Sequence, residues 1–243
     1  MLRSLLDMGS SERRVSHLAN GITSPTPYAI QTARSRITVG IIEMLDYDAL
    51  QSGDLLLFSG TSCLSCCIQC LSCSSFSHIG LILRNPIWLP PGLYLLESTK
   101  ITHIPDVEQH GMQSGVQIHL LHDVVAECKK DGTILSVRHL TITRDNLFQE
   151  KLKTIHDAVH AKPYDLNLYD WVCAEYNLMH TIPVDASHQE RNQFWCSALV
   201  AYVYCQLGVL STDLNWSIIA PKSFCTNGSL PFLLPVSGET AFL

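Results

Sequence analysis

The chain has 243 residues, with 22 acidic against 16 basic side chains and a formal net charge of −6. Charged residues make up 16% and hydrophobic residues 47%, which excludes a wholly disordered chain and supplies enough apolar material for a sizeable core. The negative balance argues against a general nucleic-acid-binding surface, and the length suits one large domain or a domain carrying an arm.

Residues 1–36 read as that arm. Arg3, Arg13, Arg14, Arg34 and Arg36 outweigh Asp7 and Glu12, and Ser, Thr, Asn, Gly and Pro fill the spaces between them. No period of 2 or 3.6 is sustained, so a disordered or loosely docked basic extension is expected. The first residues, Met1-Leu-Arg-Ser-Leu-Leu-Asp7, lack the apolar run of about 7 to 15 residues that a secretory signal needs. The expected location is the cytoplasm, where the ten cysteines stay reduced and form no disulfide framework.

From Ser52 onward, short apolar runs alternate with turn residues. Asp54–Phe58, His78–Leu83, Leu93–Glu97, Val116–Leu120 and Ile134–Arg138 are expected as strands, with turns such as Asn85-Pro86 and Pro90-Pro91-Gly92 separating most of them. The period then changes. Phe148, Leu152, Ile155 and Val159 recur at helical spacing, predicting an amphipathic helix over 146–161 that ends before Pro163. The run Phe194–Leu210 is about the minimum length for a membrane span. Its Ser, Cys, Tyr and Gln favour instead a buried helix from about Phe194 to Leu207, stopped by Gly208. Strands followed by helices give an α+β fold. There is no internal repeat, glycine-rich phosphate loop or dinucleotide fingerprint.

Cys196 lies close to the start of the buried helix, where unpaired N–H groups and the helix dipole favour a thiolate and can stabilise an oxyanion. Position alone equally fits a packing cysteine. A thiolate nucleophile needs a base, and His78 opens a strand. Glu97 closes the apolar run Leu93-Tyr-Leu-Leu96, an unexpected place for a carboxylate. If those two strands pair, Glu97 orients the His78 imidazole and fixes its tautomer.

Five segments in order carry a resemblance: Gly53-Asp-Leu-Leu-Leu-Phe58, Ser77-His-Ile-Gly80, Leu96-Glu-Ser98, Lys162-Pro-Tyr-Asp165 and Trp195-Cys-Ser-Ala-Leu-Val200. Together they resemble the circularly permuted, papain-like branch of the NlpC cell-wall endopeptidase superfamily. That branch has bacterial and poxviral members and is related to lecithin:retinol acyltransferase-like proteins. The resemblance spans roughly residues 50–225 and leaves the arm unexplained. It implies a permuted papain-like catalytic domain over 37–243, an antiparallel sheet packed on the nucleophile helix, and a Cys-rich insertion at about 60–76. It also implies Cys196 as nucleophile, His78 as general base, Glu97 as orienting group and Tyr164 beside the substrate cleft. The family commonly has an acidic residue two positions after the nucleophile, where this chain has Ala198. The implied reaction is two-step acyl transfer through a thioester, requiring no metal or cofactor.

The expected activity is that of a cysteine hydrolase (peptidase or amidase) or acyltransferase acting on a small-molecule, peptide or lipid acyl substrate, with no nucleic acid as partner. A catalytically silent scaffold of the same fold and a membrane-associated lipid acyltransferase are the alternatives. Cys63, Cys66, Cys67, Cys70 and Cys73 are too closely spaced for a zinc ribbon. On a helix they share one face with Leu64, Ile68 and Leu71, with Ser65, Gln69 and Ser72 opposite. A plain covering insertion, peripheral membrane contact and S-acylation are the readings of that segment. His103, His110, His119 and His122 are expected as surface or loop residues, and Cys128, Cys173, Cys205 and Cys225 as packing thiols. Asp165 and Asp170 are alternatives to Glu97 as the orienting acid.

Overall fold

The computed structural model describes residues 45–100, 103–164 and 193–242. The arm, Asp165, Asp170 and Cys173 lie outside the described residues. An antiparallel six-stranded sheet in the order β4-β3-β2-β1-β5-β6 organises the chain, and with its helices it confirms the α+β class. The strands are β1 (Leu55–Ser59), β2 (His78–Arg84), β3 (Leu93–Thr99), β4 (Gly115–Leu120), β5 (Ile134–Arg138) and β6 (Thr240–Phe242). The first five match the expected runs to within two residues.

Four α-helices accompany the sheet: α1 (Cys63–Ser72), α2 (Leu121–Asp131), α3 (Asn146–Val159) and α4 (Cys196–Leu207). Strand alternation sends successive side chains to opposite faces. Leu57, Ile79, Leu81, Leu96 and Ile118 join one core with α3 and α4. Leu56, Phe58, Ile82 and Leu95 join a second core with Leu121, Val124, Val125 and Cys128 of α2.

Helix ends follow ordinary capping chemistry. Asp145 accepts a hydrogen bond from the Phe148 N–H at 2.9 Å and starts α3. That helix stops at Val159, two residues short of the expected end, because the backbone of His160 is no longer helical. Gly208 adopts a left-handed conformation and ends α4 as expected. The helix begins at Cys196 itself, with Phe194 and Trp195 extended ahead of it. Among the described residues no helix is long and apolar enough to cross a membrane; α4 is instead enclosed, with nearly every residue buried.

Candidate active site

The sheet register brings the sequence-predicted residues together. β2 and β3 pair antiparallel with Leu81 opposite Leu96, which sets His78 and Glu97 near one end of adjacent strands. Ile79 belongs to the core on the α4 side and Leu95 to the core on the α2 side, so His78 and Glu97 project toward α2. His78 Nε2 donates to Glu97 Oε2, leaving Nδ1 as the ring nitrogen available to a nucleophile. One edge of the imidazole is packed against Phe58, with ring centroids 4.9 Å apart.

Cys196 arrives from the α4 side of the sheet. Cys196 is the first residue of α4, and its sulfur is within hydrogen-bonding reach of the His78 ring and of the backbone N–H groups of Ile79 and Ser197. Burial works against the thiolate, but the neighbouring His78 cation and these donors outweigh it and hold the thiol below its ordinary range. His78 moves the opposite way. Burial disfavours its cation, yet the Cys196 thiolate and Glu97 together raise its affinity for a proton. The two groups thus shift in opposite directions, each favouring the charged form of the other.

Glu97 is buried, which alone would favour its neutral form. Hydrogen bonds and charge from His119 and His78 reverse that and hold the carboxyl at about 2. Its second oxygen accepts from His119 Nδ1 at 2.8 Å. His119 is fully buried, correcting the expectation of a surface histidine, because α2 covers that face of β4. The Gln117 amide oxygen lies 3.3 Å from His119 Nε2, and the Gln117 amide N–H group donates to the carbonyls of Gln113 and Gly115. The strand alternation that puts Gln117 and His119 on one face of β4 was the available signal for this support. His103, His110 and His122 are exposed as expected.

A cleft of about 220 Å³ borders the pair, lined by His78, Glu97, Thr99, His103, Ile104, Val124, Glu127, Cys128 and Asp131. Cys196 is not among the residues that line it. Tyr164 forms a parallel bridge with Phe194, two residues before Cys196, and is absent from the cleft lining. Three other thiols differ sharply from Cys196: burial pushes the buried Cys205 up to about 11, and the buried Cys128 and half-buried Cys225 up to about 12. Among the described residues every cysteine is a free thiol.

The Cys-rich segment forms a helix. Ser62 caps α1 by accepting from the Ser65 N–H at 3.1 Å. Its polar face turns inward: Gln69 Nε2 donates to Gly60 O at 2.9 Å, and Ser72 is buried. Cys63, Cys67, Cys70 and Cys73 are exposed, and Leu64 is 63% exposed. Among the described residues these sulfurs do not converge on a metal-binding point.

No protein-family profile and no curated protein matches the chain. Among solved structures it is similar to the metalloprotein yiiX from Escherichia coli O157:H7, described as DUF1105, with 20% identity and a TM-score of 0.43. The match covers 65% of this chain and 66% of that one.

Proposed function

We propose that the chain is a cysteine-dependent hydrolase or acyltransferase that acts on an amide, peptide or ester bond. The supporting observation is the relay from Cys196 through His78 to Glu97. The Cys196 thiolate attacks the substrate carbonyl carbon, and its C=O electrons move onto oxygen. N–H groups at the start of α4 stabilise that oxyanion. His78 gives its proton to the leaving amine or alcohol, and a Cys196 thioester remains. Water or a second acceptor then attacks the thioester, His78 takes the incoming proton, and the thiolate departs. Glu97 holds the ring and balances its charge. In this reading the fold is a circularly permuted papain-like one of the NlpC superfamily, with the base and acid strands ahead of the nucleophile helix. Its location is cytoplasmic.

Incubation with a p-nitrophenyl acyl ester tests the reading. The expected product is a hydroxylamine-sensitive acyl adduct on Cys196, seen by peptide mass spectrometry and strongly slowed in His78→Ala. Turnover that survives Cys196→Ala would remove the proposal.

The outward Cys and Leu face of α1 favours a second form of the same reading, in which a lipid acyl substrate is taken at a membrane surface. No charged residue interrupts α1, and an apolar helix face left in water is suited to the bilayer interface. Flotation of the chain with phosphatidylcholine vesicles, lost on Leu64→Ser with Cys67→Ser, is the expected result; an unbound wild-type chain rules this form out.

A further inference from the structure

A second cluster of ionisable side chains lies away from Cys196 and takes no part in the proposed reaction. His156 is in the last turn of α3, and His160 follows just past its end. The His160 N–H still bonds to His156 O at 2.7 Å, so the two imidazoles keep the one-turn relation of residues four apart on a helix. Glu108 comes from the connection between β3 and β4. Asp106 fixes that connection: its side chain accepts from the Ile118 N–H at 2.7 Å and the Gln109 N–H at 2.8 Å, while the Val107 N–H bonds to Ile118 O at 2.9 Å.

These elements aim three donor atoms at one point. Glu108 Oε2 is 2.9 Å from His156 Nε2 and 3.0 Å from His160 Nε2, and the three atoms all lie within 4.8 Å of one another. His156 is buried and stacked on Trp88, with ring centroids 4.8 Å apart. Hydrogen bonds alone satisfy the cluster poorly. The other nitrogen of His156, Nδ1, faces Asp157 Oδ1 at 3.3 Å, so both ring nitrogens meet carboxylate oxygens, and a neutral imidazole carries only one N–H. His160 Nε2 is buried beside the Glu108 oxygen, yet no hydrogen bond forms.

We propose that Glu108, His156 and His160 bind a divalent transition-metal ion, zinc being the occupant that two imidazoles and one carboxylate fit best. A cation between the donors takes a lone pair from each Nε2 and from Glu108, while the Asp157 carboxylate supports Nδ1–H of His156 from outside. At zinc–ligand distances of about 2.0 to 2.2 Å, tetrahedral donors stand about 3.3 Å apart. The two contacts of Glu108 with the imidazoles therefore widen by a few tenths of an ångström on binding. Three protein ligands leave a fourth position for water. The ion ties the connection after β3 to the end of α3, where the chain turns into Lys162-Pro163-Tyr164.

The test is Co²⁺ titration of the full chain after chelator treatment. The expected result is one equivalent bound, with the visible bands of a four-coordinate nitrogen and oxygen site and without the near-ultraviolet band of a cobalt–thiolate bond. His160→Ala and, separately, Glu108→Gln should each abolish those bands, and Zn²⁺ should raise the melting temperature of the wild type but of neither variant. Absence of stoichiometric binding by the wild-type chain overturns the proposal. So does a thiolate-type spectrum that survives both substitutions, since it would place the ion on the Cys63–Cys73 sulfurs.

Discussion

Ser98 Oγ donates to the Phe194 carbonyl at 2.6 Å, both residues being buried. Ser98 follows Glu97 on β3 and points to the opposite face of the sheet. One strand thus holds the acid that orients His78 and, through the next residue, the segment that delivers Cys196. Ser98→Ala leaves a buried carbonyl without its donor, a loss of about 1–3 kcal/mol. Thermal unfolding should show that decrease, and alkylation of Cys196 should slow together with it.

Reactivity should separate Cys196 from Cys205, Cys128 and Cys225. At pH 6 iodoacetamide is expected to modify Cys196 well ahead of Cys205, Cys128 and Cys225, whose burial holds them protonated. His78→Ala removes the cation that favours the thiolate, so the pH at half-maximal Cys196 alkylation should rise. Mass spectrometry of peptides across a pH series reads both effects. Equal slow modification of Cys196 and Cys205 would instead favour a silent scaffold.

Glu97 makes stability depend on acid. Its folded carboxyl sits at about 2 against an ordinary 4.5, so its contribution is complete above 4.5 and is lost as pH falls toward 2. The size is about 3 kcal/mol at about 1.4 kcal/mol per unit. Chemical denaturation between pH 5 and pH 2 should show a shallower decline in Glu97→Gln than in the wild type.

His119 is a positioning residue, since it touches Glu97 and not the nucleophile. His119→Ala should cost about 1–3 kcal/mol by leaving a buried carboxylate oxygen unpaired. Cys196 should still be alkylated, with turnover on an acyl ester reduced several-fold. His119→Asn, whose amide can donate to Glu97, should recover part of the turnover. A variant indistinguishable from wild type in the ester assay would show that Glu97 needs no second donor.

Much of this arrangement is legible in the residue order. The apolar runs mark five strands because each is bounded by turn residues, and His78 and Glu97 stand out as polar ends of otherwise apolar runs. Other features depend on what packs where. Leu121, Val124, Val125 and Cys128 follow a helical period, but α2 begins directly after β4 with no turn residue between them, so no boundary announces it. Whether His119 is wet or dry then depends on α2, and local alternation cannot decide that. The period of α1 separates two faces without saying which one docks. Hydrogen bonding to Gly60 and the burial of Ser72 select the polar face, leaving the thiols of Cys63, Cys67, Cys70 and Cys73 outside. The pairing of Glu108 with His156 and His160 depends on a distant connection folding back onto α3.

β4 is the outermost strand on its side of the sheet, yet its rim is not fully open. The Val116 N–H is taken by Lys162 O at 2.8 Å, a close approach possible because Gly115 has no Cβ; an added one would stand 2.1 Å from that same oxygen. The passing chain thus shields part of a margin where a foreign strand could otherwise attach. A side chain at residue 115 would push that shield away and invite self-association, so this small residue guards colloidal behaviour as well as local shape.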